Sequence, residues 1–111
     1  METKIQKTLK QWFPELFAGA SESSMQSDYE CLQYFARYTI KLIEEHQENE
    51  KGPFRIVNML YQHGSLHDRN AIENEFFCTS SKAESPGSLK LHLSLMPENL
   101  QAVYVKTILE N

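Results

Sequence analysis

The chain reads as an all-α protein, a compact single-domain bundle of five or six helices over residues 1–111. Three observations predict it. All four glycines and all four prolines stand at breaks between apolar-periodic segments. Gly costs a helix interior about 1 kcal/mol and Pro about 3 relative to Ala, so this placement is punctuation. Between the breaks, apolar residues recur at helical spacing. Several segments also open on a Ser or Thr followed three residues later by a side chain that can complete a cap.

The first segment opens on Thr3 and Gln6, a capping-box spacing, and continues with Ile5, Leu9, Trp12, Phe13 and Leu16. Pro14 forbids one smooth helix, so either the helix ends near Trp12 or a second short turn carries Pro14–Phe17. Residues 20–26 read as a loop. The second segment is expected to be the central helix. Ser27 and Glu30 cap it, Leu32, Phe35, Thr39, Leu42 and Ile43 form one stripe, and Cys31, Tyr34 and Tyr38 form a second beside it. It runs into the polar stretch Glu44 to Glu50.

Pro53 suits the first turn of the third segment, whose residues Phe54 to Tyr61 are nearly apolar all round. Helix is preferred over a short strand because Gly64 can end it in the left-handed conformation. Ser65 and Asp68 then cap a fourth helix, from about Leu66 to Thr79, that offers Leu66, Ile72, Phe76 and Phe77 to the core. Residues 79–87 read as a polar loop. Residues 88–96 fit two patterns: Leu89, Leu91, Leu93 and Leu95 alternate as in a strand, while Leu89, Leu93 and Met96 fit a helix. Pro97 begins the last helix, with Leu100, Val103, Tyr104, Thr107 and Ile108 on its buried face.

Composition narrows the function classes. A formal charge of -4 argues against nucleic acid, whose binding is driven largely by Lys and Arg neutralising phosphates. The N-terminal residues carry no apolar signal core and no apolar run approaches the ~20 residues of a membrane span, so the expected setting is cytoplasmic, with no membrane partner. The two cysteines, Cys31 and Cys78, fall in helical segments and read as reduced, buried thiols. No nucleophile elbow or phosphate-cradling glycine loop is present, and the expectation is no catalytic residue and no cofactor.

Three places could carry chemistry or recognition. Two imidazoles four apart and a carboxylate, His63, His67 and Asp68, could ligate a zinc-like cation, although Gly64 breaks the helix that would align them. Tyr34 and Tyr38, one turn apart, make either a recognition patch or ordinary core. Asn70 and Asn74, at i and i+4 beside Glu73, put two amides on one helical face. Glu44, Glu45 and Glu48 lie at the acidic end of the second helix.

The stretch PFRIVNMLYQHGSLHDRNAIENEFFC, with the closing LMPENLQAVYVKTILEN, resembles an uncharacterised family of small bacterial helical domains, some of whose members resemble immunity proteins of toxin systems. The resemblance rests on Asp68, Asn70, Ile72, Glu73, Asn74 and Phe77 and on the Pro-started last helix. It implies a binding role, neutralisation of a toxin being its sharpest form. The expected partner is a protein, with a basic toxin favoured by the acidic balance. Its expected contact residues are Tyr34, Tyr38, Glu44, Glu45, Glu48, Asp68, Asn70, Glu73 and Asn74. The alternatives are a metal-binding regulator or metal-dependent hydrolase using His63, His67 and Asp68, and a structural subunit of a homo-oligomer.

Overall fold

Short side chains that satisfy backbone donors decide where the helices begin. Thr3 accepts from the Gln6 N–H and the Gln6 side chain returns to the Thr3 N–H, which starts α1, Lys4–Trp12. Pro14 then starts a separate short helix, α2, Pro14–Ala18, so both options open in the sequence are realised. Ser27 accepts from the Glu30 N–H at the head of α3, Asp28–Glu44. Pro53 lies in the first turn of α4, Gly52–His63. A reciprocal Ser65–Asp68 cap opens α5, Leu66–Ala71. This helix passes through a π-turn, Ile72–Phe77, into α6, Cys78–Lys82. Ser85 and Ser88 form a further reciprocal cap at the head of α7, Pro86–Leu95, and α8, Glu98–Glu110, follows Pro97. A computed structural model describes residues 3–18, 27–45, 51–82 and 84–110.

Among the described residues every regular element is helical. Counting 66–82 as one helix with a π-turn, they make seven helices rather than the five or six expected. The extra helices come from Pro14, which divides the first segment, and from Ser85, which makes the 86–95 stretch a helix. The ambiguity over residues 88–96 is thereby settled against a strand. Leu95 and Met96 are buried together with His92, four residues before Met96, while Leu91 is exposed. The expected loop over residues 79–87 is also corrected. The fourth helix continues to Lys82, and Pro86 opens a helix rather than lying in a loop.

The Cα radius of gyration of 13.0 Å is that of a compact domain of about this length. The helix expected at the centre, α3, packs against α1, α5, the π-turn and α6. Its Leu32, Phe35, Ala36 and Ile43 are buried, as are Phe54, Val57 and Leu60 of α4 and Leu100 and Tyr104 of α8. Aromatic rings link the two ends of the chain through this core. Phe13 lies 5.0 Å from Phe35, Phe35 5.5 Å from Phe76, Phe76 5.7 Å from Phe77, and Phe77 5.2 Å from Tyr104. Two consecutive phenylalanines of the π-turn are fully buried because this helix is packed on more than one side, Phe76 meeting α3 and α4 while Phe77 meets α8.

Two expectations about the 64–66 turn are corrected. Gly64 is not left-handed; its φ of -87° and ψ of 168° are ordinary extended backbone. Glycine is required there for space. A Cβ at position 64 would lie 2.4 Å from the Leu60 carbonyl oxygen and 2.7 Å from Asp68 Cβ. The close approach is set by the Ser65–Asp68 cap, which folds the α5 N-terminus back onto the end of α4. Leu66, expected in the core, is 71% exposed because the same cap turns the first position of α5 outward. The Gly64→Ala variant is expected to lose about 1–3 kcal/mol, since the carbonyl belongs to the backbone and cannot rotate away. A urea midpoint equal to the parent's would show that the turn relaxes freely.

Candidate functional site

The α3 surface carries a periodic stripe that the neighbouring helix leaves open. Glu30, Gln33, Tyr34, Arg37, Tyr38 and Lys41 follow one another at spacings of three, one, three, one and three, which places them on a single helical face. The π-turn and α6 pass beside this stripe, and between them lies an open groove of about 420 Å³. Gln33, Arg37 and Ile40 line one wall; Asn74, Glu75, Cys78, Thr79 and Lys82 line the other. The Gln33 amide donates to Glu75 Oε2 at 2.5 Å and closes one part of the groove. The concave surface continues along α3 over Tyr34, Arg37, Tyr38 and Lys41. Its ionisable lining is therefore mixed, with Arg37, Lys41 and Lys82 against Glu30 and Glu75.

Of the residues expected to meet a partner, Tyr34, Tyr38 and Asn74 border this groove. Both tyrosines are half-buried, between the two readings open in the sequence. The Tyr38 ring lies 6.0 Å from Phe13 and 6.2 Å from Phe35, and its hydroxyl donates to Glu15 Oε1 at 2.5 Å. Burial, and then the Glu15 carboxylate, hold the Tyr38 hydroxyl above its ordinary pKa, so it stays a donor. Glu44 and Glu45 are exposed at the end of α3; Glu48 lies outside the described residues.

The other members of that set separate. Asp68 is buried, with Oδ2 accepting from the Ser65 N–H at 3.1 Å, so it serves the cap. Glu73 accepts from the Tyr61 hydroxyl at 3.0 Å, and burial followed by this carboxylate raises the Tyr61 pKa. Asn70 is exposed. Asn70 lies in α5 and Asn74 inside the π-turn, so their i,i+4 spacing no longer has the register of a regular α-helix. The stripe residues that sequence reasoning passed over, Gln33 and Arg37, share the period of Tyr34, Tyr38 and Lys41. That period was the available signal.

A second cluster joins three helix N-termini. Asp28, the first residue of α3, is buried; its Oδ1 accepts from the Thr3 hydroxyl and its Oδ2 lies 3.1 Å from His67 Nε2. Thr3 is the cap of α1, and His67 stands beside Asp68 in the first turn of α5. Asp28, His67 and Asp68 each present one donor atom within 4.8 Å of the others. His63 belongs elsewhere: it is exposed, and its carbonyl accepts from Lys4 Nζ at 3.0 Å. Of the histidine pair singled out in the sequence, only His67 enters the cluster. Asp28 enters unforeseen, because no sequence spacing connects it with a residue 39 positions away.

A third polar group is enclosed between α7 and α8. Glu84 Oε1 accepts from the Tyr104 hydroxyl at 2.7 Å and pairs with His92 Nδ1, while Oε2 accepts from Ser88 Oγ at 2.5 Å. His92 and Tyr104 are buried. Burial, and then Glu84, push the Tyr104 hydroxyl far above its ordinary pKa. Ser88 donates to the carboxylate rather than to the imidazole, so the group lacks the arrangement that activates a serine nucleophile. Cys31 is likewise buried; enclosure, then the Asp28 and Glu30 charges, raise its thiol from 9.0 to about 11, which suppresses the reactive thiolate. Neither cysteine is in a disulfide.

Among the described residues no helix is long and apolar enough to cross a membrane. No curated protein and no solved structure matches the chain. A family model described as a domain of unknown function (DUF7674) matches residues 7–110. That match runs from within α1 to the last residue of α8, taking in the groove, the π-turn and the enclosed Glu84 group. The chain belongs to this uncharacterised family.

Proposed function

We propose that the chain is a cytoplasmic protein-binding module, in its sharpest form an immunity or antitoxin protein that sterically covers a toxin. The observation that supports this reading is the open groove along α3. Its α3 wall carries Arg37, its opposite wall carries Glu75 and Lys82, and the half-buried Tyr34 and Tyr38 line its continuation along α3. Tyr and Arg are the side chains on which protein interfaces most often concentrate their binding energy. A shallow surface extending along a helix suits a segment of another protein better than a small enclosed ligand. The exposed Glu44 and Glu45 would meet basic groups of that partner, and Arg37, Lys41 and Lys82 its carboxylates. Such charge complementarity acts mainly on the association rate and on the choice of partner.

The test is affinity capture from the native cell with the parent chain and with Arg37→Glu, paired with sedimentation of the parent alone. The expected result is a stoichiometric protein partner retained by the parent, with affinity at least tenfold weaker for Arg37→Glu, about 1.4 kcal/mol. A self-associating parent that captures nothing would support the structural-subunit alternative. A monomer that captures nothing would overturn the binding reading.

A further inference from the structure

We propose that Asp28, His67 and Asp68 bind one divalent transition-metal ion of the zinc type at the junction of α1, α3 and α5. This inference is independent of the groove. The donor set is mixed, one imidazole nitrogen and two carboxylates, which suits zinc and its neighbours better than calcium or magnesium. The two carboxylates are buried, whereas the His67 side chain is 57% exposed. A cation would thus have acidic ligands on the protein side and access from solvent through the imidazole.

The geometry is close to what an ion needs. Two ligand atoms bound to a tetrahedral zinc stand about 3.3 Å apart at usual bond lengths. His67 Nε2 and Asp28 Oδ2 are already 3.1 Å apart, and the third donor lies within 4.8 Å. Each carboxylate is also held from outside the donor set, Asp28 by the Thr3 hydroxyl and Asp68 by the Ser65 N–H. Contacts of this kind orient metal ligands and limit their reorganisation on binding. The helix N-termini carry partial positive charge that offsets part, but not all, of the two carboxylate charges. Water would complete the coordination. Binding through Nε2 requires that nitrogen to be unprotonated, so the Asp28–His67 contact gives way to metal coordination and any Nε2 proton is released to solvent.

The competing state is the direct Asp28–His67 contact with no metal bound. The experiment is calorimetric titration of the full chain with Zn²⁺ alone, with thermal unfolding followed in parallel. Saturable binding of one ion per chain is expected, together with a Tm that rises with Zn²⁺ concentration. His67→Ala, a substitution at an exposed position that should leave the fold intact, is expected to lower the affinity at least 100-fold. His63→Ala is expected to bind as the parent does. Absence of saturable binding by the parent would overturn the proposal. So would binding that survives His67→Ala, which would assign the ion to another surface group.

Discussion

Phe76→Ala is expected to remove about 3–5 kcal/mol of stability, the usual loss when a large buried aromatic side chain leaves a cavity. Phe76 is fully buried, and its ring lies between Phe35 of α3, Phe54 of α4 and Phe77 at centroid distances of 5.5, 6.4 and 5.7 Å. The substitution therefore removes a contact shared by three helices. Domains of this kind are stable by only about 5–15 kcal/mol, so the loss is a large fraction of the total. The urea midpoint should fall steeply and Tm by more than about 10 °C. Trp12→Ala, at a site 54% exposed, should leave both nearly unchanged. A Phe76→Ala loss below about 1 kcal/mol would mean that the ring does not fill the core as described.

Glu84→Ala is expected to cost a similar amount, about 3–5 kcal/mol, for a different reason. Removing one partner of a buried charged group strands the others without hydration. Here the stranded groups are the buried Tyr104 hydroxyl and His92 Nδ1, whereas Ser88 Oγ keeps its bonds with Ser85. Tyr104→Phe removes only one donor and should cost less, about 1–2 kcal/mol. In the double variant the two losses should not add, because they share one hydrogen bond. Alkaline pH supplies a second readout. The folded state raises the Tyr104 pKa from 10.0, so its contribution is complete below that value and declines as pH rises above it. Tyr104→Phe should lose less stability than the parent above about pH 10. Additive losses together with identical alkaline profiles would dissolve the network.

Much of the architecture follows from local chemistry. The Thr3–Gln6 and Ser65–Asp68 caps act across three residues, and both were legible because donor and acceptor stand within one turn. The π-turn was not legible, since Ile72–Phe77 has the apolar spacing of an ordinary helix and the widening leaves no sequence period of its own. The 86–95 helix was obscured by alternating leucines. Its Ser85–Ser88 cap and the burial of His92 decide it. Part of the groove was legible, because Tyr34, Tyr38 and Lys41 share a helical period, but its opposite wall belongs to a helix more than thirty residues away.

Local signals in the chain set the starts of α1, α3, α4, α5 and α8, the apolar segments, and the place of Gly64 at a helix junction. Capping, periodicity and backbone freedom all act over a few residues, so one reading of the chain contains them. Helix packing is what makes Gly64 necessary for space rather than for a left-handed turn, joins Asp28 to His67, and encloses Glu84 between His92 and Tyr104. Those outcomes depend on side chains separated by long stretches of sequence, and on the low exposure that packing alone creates. Charge pairs and buried hydrogen bonds have no sequence period, and their geometry exists only once the helices have met.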